Sequence, residues 1–307
     1  MRAEIRAGLA ARPRTIPPKY FYDERGSELF EQITRLPEYY PTRVERGLLE
    51  GVVAAWLRDL APQSLVELGA GNAEKTRILL EAMLESAERE PVVYAPVDVS
   101  AQFLRATAER LSNAYPGLSV QPIVADLTDD FTLPRQLPHP RVVAFLGSTI
   151  GNFGRVAAAH LLRHAASVME EDGRLLLGVD LKKDPTTLHA AYNDAAGVTA
   201  EFNLNVLRVL NRELGADFDV DAFRHHAFYD EENGRIEMHL IAERAQTINV
   251  PGVGIIELAP GESILTEISR KYDRAEVQAT LAEAGIRIAE WFEATPPYAV
   301  VVGERAR

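Results

Sequence analysis

Between about residues 48 and 181, short apolar runs alternate with longer amphipathic ones. This alternation constrains the fold more than any other feature of the chain. Residues 64–68 (SLVEL), 91–99 (PVVYAPVDV), 118–125 (LSVQPIVA), 141–146 (RVVAFL) and 173–180 (GRLLLGVD) read as five buried strands. Residues 73–88, with Ile78, Leu79, Ala82 and Met83 on one face, residues 102–113, and a stretch carrying His160, Leu161, Leu162 and Val168 read as helices. Strands and helices at this spacing imply βαβ units, hence a parallel sheet covered by helices.

The pattern breaks after Leu181. Residues 185–214 read as helix, whereas 223–229, 235–244, 247–250 and 254–269 alternate as antiparallel strands do. Asn233-Gly234 between two of these runs is a hairpin signal. The α/β character returns with a helix over 274–285, stopped by Gly285, and strands over 286–293 and 298–304. The expected organisation is therefore an α/β domain of residues 46–181 and 272–307. Residues 1–45 and 182–271 are expected to form a second, discontinuous α+β domain. A length of 307 residues is sufficient for two domains.

Charge and composition narrow the partners. Lys plus Arg number 33 against 45 Asp plus Glu, a net charge of −12, which disfavours nucleic acid. Cysteine is absent, so disulfides, thiolate metal sites and cysteine nucleophiles are excluded. Arg2, Arg6, Arg12 and Arg14 leave no apolar stretch at the start, and nothing later approaches the ~18 apolar residues of a membrane span. A cytoplasmic protein that does not engage membranes is expected.

Glu67-Leu68-Gly69-Ala70-Gly71-Asn72 joins the first strand to its helix. Gly69 and Gly71 permit a sharp turn and close approach of a ligand, and the helix start behind them offers unpaired N–H groups. The third glycine of the dinucleotide fingerprint is missing, and no G-K-[ST] closes a phosphate loop. Asp98 ends the second strand and Asp126 the third. Each alone reads as a helix cap or turn residue before it reads as a ligand contact. Together, a carboxylate for two ribose hydroxyls and another for an adenine amino group point to S-adenosylmethionine at the carboxyl edge of the sheet.

Residues 145–153 read Phe-Leu-Gly-Ser-Thr-Ile-Gly-Asn-Phe. With Glu38-Tyr39-Tyr40-Pro41-Thr42-Arg43, Ala191-Tyr192-Asn193-Asp194 and Thr266-Glu267-Ile268-Ser269, in this order and spacing, the chain closely resembles the histidine-specific Nα-methyltransferases of ergothioneine biosynthesis. The resemblance implies a Rossmann-like class I methyltransferase domain with a discontinuous α+β substrate-binding domain. It implies trimethylation of the α-amine of L-histidine to hercynine, with S-adenosyl-L-methionine as methyl donor and no metal. It places Gly69, Lys75, Asp98, Asp126 and Leu127 around the donor, Leu127 standing where the family pattern has an aromatic. It gives the substrate carboxylate to Asn152 and Tyr192, with Tyr22 nearby, and the amine to the Gly147 carbonyl. Tyr39, Glu267 and Ser269 are implied to recognise the imidazole, with Met238 packed beside it. Asn152, Tyr39 and Gly147 are the expected catalytic residues; Tyr39 assists proton loss through water and no dedicated general base is assigned. A monomer acting on a free amino acid is expected.

Other readings fit less well. Thr295-Pro296-Pro297-Tyr298 resembles the signature of enzymes that methylate exocyclic amines of bases, but it follows the wrong strand and reads as a turn. His225-His226 and His239 suggest a metal only superficially, because adjacent strand residues point to opposite faces. An Nα-methyltransferase of the same fold acting on another amino acid or an indole amine such as tryptophan is the main rival, against which Glu267 and Met238 speak. A donor-binding regulator without turnover would have no need of Asn152 and Tyr192.

Overall fold

The computed structural model describes residues 1–86, 91–127, 132 and 137–306. It opens with helix α1 (Arg2–Ala10), strand β1 (Arg14–Thr15), α2 (Glu24–Ile33), α3 (Tyr40–Leu48) and α4 (Ala54–Leu60). There follow β2 (Ser64–Leu68), α5 (Thr76–Ser86), β3 (Val92–Asp98), α6 (Ala101–Ala114), β4 (Leu118–Val120) and β5 (Ile123–Val124). Next come β6 (Arg141–Phe145), α7 (Arg155–Met169), β7 (Arg174–Asp180), α8 (Pro185–Tyr192) and α9 (Val198–Leu214). The chain ends with β8 (Phe223–Asp230), β9 (Arg235–Ala242), β10 (Gln246–Val250), β11 (Gly254–Leu258), β12 (Ser263–Arg270), α10 (Arg274–Glu283), β13 (Ile286–Ala294) and β14 (Tyr298–Arg305). The chain divides into two compact units, Met1–Tyr40 with Lys183–Arg270 and Pro41–Lys182 with Lys271–Arg307.

The unit built from Pro41–Lys182 and Lys271–Arg307 is the α/β one. Its sheet runs β13-β14-β7-β6-β2-β3-β4, with β5 also paired to β3. The strands from β7 to β4 are parallel, and β14 is antiparallel to both β7 and β13. The order reverses between β2 and β6, the switch point at which open α/β sheets bind ligands beyond their carboxyl ends. Every residue of β2 and β6 is buried, as expected of strands covered on both faces. Alternation divides them between two cores: Val66, Leu68, Val143 and Phe145 enter one, Leu65, Val142 and Ala144 the other. The doubly wound α/β fold expected from the alternation is thus present.

Local departures have local causes. The third expected strand is interrupted at Gln121-Pro122, because proline has no N–H for the ladder. Helix α5 starts at Thr76 rather than at residue 73, since Ala73 has a left-handed φ of 53°. Ala87 and Glu88, the expected end of that helix, lie outside the described residues.

The other unit, Met1–Tyr40 with Lys183–Arg270, holds a four-stranded sheet ordered β1-β12-β9-β8 and the two-stranded ribbon β10-β11. The helix expected over residues 185–214 is two helices. Asp194 accepts from the N–H groups of Val198 and Thr199 at 2.8 Å each, and Gly197 takes a φ of 73°, so α9 has its own capped start. The strand expected over 254–269 is also two, turned at Pro260-Gly261. Among the described residues no helix is long and apolar enough to cross a membrane.

Candidate functional site

In the α/β unit, the first turn after β2 carries three residues with left-handed φ: Gly69 at 70°, Gly71 at 52° and Ala73 at 53°. A side chain at Gly71 would meet nothing within 4 Å, so the turn is open to a ligand. Asp98, at the end of β3, is held by both oxygens: Oδ2 accepts from Gly71 N–H at 3.1 Å and Oδ1 from Ser100 N–H at 3.0 Å. Leu127 and Thr149 flank Gly69, each 3.8 Å from where its Cβ would stand. Asp126 follows β5 two residues on. The second turn, after β6, places Gly147 (φ 73°) and Ser148 (φ 55°) ahead of a single 3₁₀ turn, Thr149–Asn152. Lys75 Nζ lies 3.6 Å from where a Gly147 Cβ would be. Glycine turn, oriented carboxylate and nearby ammonium are suited to a nucleoside carrying an amino-acid tail; among the described residues no cluster of His, Asp or Glu could hold a metal ion.

Two buried acids stand behind these turns. Glu67 on β2 accepts from the hydroxyls of Tyr94 and Thr76. Burial pushes its carboxyl up to about 7, although those hydrogen bonds pull the other way. Glu45 on α3, fully buried, accepts from Lys75, from Gly147 N–H at 2.7 Å and from the Tyr298 hydroxyl at 2.6 Å. Sequence reasoning missed Glu45; its helix precedes the first strand, and nothing in its spacing shows that it reaches the turn after β6.

In the α+β unit, Tyr22, Phe30, Tyr39 and Tyr192 form a run of edge-to-face rings, with centroids 5.7, 6.3 and 6.3 Å apart. Tyr192 ends α8, and its hydroxyl lies 2.9 Å from Ser269 Oγ on β12. A β-bulge between Leu265 and Glu267 decides which side chains of β12 share that face. The register runs Leu265 opposite His239, then Glu267 opposite Met238 and Ser269 opposite Ile236. The extra residue, Thr266, shifts the alternation so that Glu267, Ser269 and Met238 share one face; a regular strand would have sent both β12 residues to the other. Thr266 is tied in place, its hydroxyl within 2.7 Å of Asn203 Oδ1 and 3.0 Å of the Met238 carbonyl.

Asn203 extends the tie to Tyr192. Its Nδ2 donates to the His239 carbonyl (3.1 Å) and to His225 Nδ1 (2.9 Å). His225 therefore carries its proton on Nε2, which donates to the Tyr192 carbonyl at 2.9 Å. Burial lowers the His225 pKa, and the neighbouring His226 adds to this against the opposing hydrogen bond to Tyr192. Asn193 donates to the carbonyls of His189 and Ala227. The Ala191–Asp194 motif is thus the hinge that fixes the end of α8. Among the expected site residues, Tyr22, Tyr39, Tyr192, Met238, Glu267 and Ser269 lie in this unit, and Gly69, Lys75, Asp98, Asp126, Leu127, Gly147 and Asn152 in the other. His226 and His239 each stack on Phe228 with centroids 5.5 Å apart, and His239 Nε2 also lies 2.8 Å from Glu237 Oε2.

Residues 1–302 match a family described as histidine-specific methyltransferase, SAM-dependent. The chain is 45% identical to a histidine N-alpha-methyltransferase of Mycolicibacterium smegmatis, covering 95% of this chain and 90% of that one. It is 33% identical to ergothioneine biosynthesis protein 1 of Neurospora crassa over 91% of this chain and 32% of that longer protein. An S-adenosylmethionine-dependent methyltransferase from Clostridium acetobutylicum superposes with a TM-score of 0.52 at 10% identity, covering 92% of this chain and 98% of that one, a likeness of fold alone.

Proposed function

Because the chain belongs to the histidine-specific, SAM-dependent methyltransferase family, we propose that it trimethylates the α-amine of L-histidine to give hercynine, the first step of ergothioneine biosynthesis. The observation that carries the substrate is the bulge in β12, which puts the buried Glu267 and Ser269 on one face with Met238, Ser269 within hydrogen-bond distance of the Tyr192 hydroxyl. A buried carboxylate and a hydroxyl suit an imidazole, whose ring has one N–H to donate and one nitrogen to accept. An indole or phenyl ring leaves part of that polar set unpaired, and an unpaired buried acceptor costs about 1–3 kcal/mol.

Gly69, Lys75, Asp98, Asp126 and Leu127 are assigned to the methyl donor. When bound, it supplies a methyl group activated by a sulfonium. Asp98, with both oxygens already aimed by backbone N–H groups, takes the ribose hydroxyls; Lys75 takes the carboxylate of the amino-acid tail. Asn152 and Tyr192 are assigned to the substrate carboxylate, and as neutral donors they add no cation beside a sulfonium. Tyr22 is assigned a place nearby and Tyr39 a part in imidazole recognition. The Gly147 carbonyl orients the amine lone pair.

A peptide-terminal α-amine has a reference pKa of about 8, and the amine of a free amino acid, beside its own carboxylate, is more basic, so well under a tenth is neutral near pH 7 and proton loss precedes attack. Orientation then makes the main contribution, several kcal/mol for a well-aimed pair; Tyr39 passes the released proton to water. The protein is assigned to the cytoplasm and to a monomeric state, with a free amino acid as its partner. Incubation with S-adenosylmethionine and an equimolar mixture of amino acids, followed by mass spectrometry, tests the reading. Methylated histidine supports it; methylated tryptophan or tyrosine with histidine untouched overturns it.

A further inference from the structure

We propose that Glu45 is a positioning residue that sets the Lys75 ammonium and the Gly147 turn as one piece; the inference rests on the donor site assigned above. Three observations converge on this carboxylate. It is fully buried, and its two oxygens take three donors of different kinds: Oε2 takes Lys75, while Oε1 takes Gly147 N–H (2.7 Å) and the Tyr298 hydroxyl (2.6 Å). The sheet leaves room for it, because a Cβ at Gly178 on β7 would collide with Glu45 Oε1. Its partners belong to separate chain segments, the start of α5, the turn after β6 and the start of β14, so no local backbone hydrogen bond performs the same task.

The consequences follow from charge. A fully buried carboxylate is tolerated only when paired and hydrogen-bonded. Lys75 pairs with it while its side chain stays 22% exposed, so the lysine is anchored on a buried carboxylate without being buried itself. The pair is neutral overall. Lys75 can therefore accept an anionic tail without adding net positive charge beside a sulfonium. The same carboxylate holds Gly147 by its N–H, which fixes the plane of the adjoining peptide in a turn of two left-handed residues, with φ values of 73° and 55°.

The test separates the two tasks. Glu45→Gln keeps an acceptor for Gly147 and Tyr298 and the side-chain volume, but removes the partner of Lys75. It is expected to weaken S-adenosylhomocysteine binding about tenfold by calorimetry while kcat at saturating donor falls less than threefold. In a Lys75→Met background the same change is expected to shift that affinity less than twofold, a coupling that a merely structural role would not produce. Glu45→Leu removes both tasks and is expected to lower kcat at least tenfold further; if it fails to fold, the Glu45→Gln cycle decides alone. Equal effects of Glu45→Gln in both backgrounds, or wild-type affinity in that variant, overturn the inference. A wild-type protein that binds S-adenosylhomocysteine but leaves histidine unmethylated overturns the substrate reading while the cycle still decides Glu45. A wild-type protein that binds none overturns both.

Discussion

Replacing Glu67 by glutamine should make the protein more stable, and by an amount that grows with pH. Glu67 is buried on β2, and burial raises its carboxyl from 4.5 to about 7. A carboxyl raised in the folded state binds its proton more tightly there than in the unfolded chain. Its contribution is complete below pH 4.5 and is lost as pH rises toward 7. At about 1.36 kcal/mol per pH unit, the rise from 4.5 to about 7 amounts to about 3 kcal/mol, of which about 2 kcal/mol is lost between pH 5.5 and 8.5. Glutamine is nearly isosteric and never ionises; its carbonyl accepts from Tyr94, and its amide can donate to the Thr76 oxygen that now lies 2.8 Å from both carboxyl oxygens. Other groups titrate equally in both proteins, so the difference between them isolates Glu67. Urea unfolding at pH 5.5 and 8.5 should show the Glu67→Gln variant gaining about 2 kcal/mol on the wild type over that span. Parallel pH profiles, or a wild type that gains on the variant as pH rises, would refute a neutral buried acid at this position.

Further perturbations address the substrate side and the buried charges. Glu267→Ala should raise the histidine KM by about two orders of magnitude, as expected for losing a charge-assisted hydrogen bond, with S-adenosylhomocysteine affinity unchanged within twofold; wild-type KM would remove Glu267 from the imidazole site. Thr266→Val deletes the hydroxyl that ties the bulge to Asn203 and should raise the same KM about tenfold, while kcat stays within threefold; an effect confined to donor binding would argue against a role in aiming β12. Lys271→Met removes the ammonium that pairs with the buried Asp180 at 2.9 Å and should cost about 3–5 kcal/mol in chemical denaturation; a loss under 1 kcal/mol would contradict the pairing. Because His225 is held neutral, protonation opposes folding, so its contribution is present above pH 6.5 and falls away below it; a His225→Gln variant should lose less stability than the wild type on acidification from pH 7 to 5.5.

The elements that sequence made legible are those whose period and punctuation agree. Buried strands such as Ser64–Leu68 and Arg141–Phe145 are apolar runs between turn residues, and the G-A-G-N turn and the two strand-end aspartates locate the carboxyl edge of the sheet. Breaks set by a single backbone angle or a cap were harder. Ala73 delays α5 through its positive φ, and Asp194 with Gly197 divides what reads as one long helix. The bulge in β12 was hidden for a different reason: Ile264-Leu265-Thr266-Glu267-Ile268 satisfies an alternating pattern loosely in either register, and only the contacts of Thr266 with Asn203 and Met238 select one. Glu45 was invisible because its meaning lies 102 residues away, in the N–H of Gly147. On an amphipathic helix a glutamate reads as solvated, yet this one has no exposed surface at all.

Methyl transfer to the α-nitrogen of histidine, repeated until that nitrogen is quaternary, is the central proposition. It is tested most directly by giving the purified protein histidine and S-adenosylmethionine with a trideuterated methyl group, then fragmenting the product by tandem mass spectrometry. Three labelled methyl groups leaving together as trimethylamine, with an unlabelled imidazole fragment behind, is the predicted result. Label retained on the imidazole, or histidine recovered unlabelled while another amino acid carries the deuterium, would contradict it.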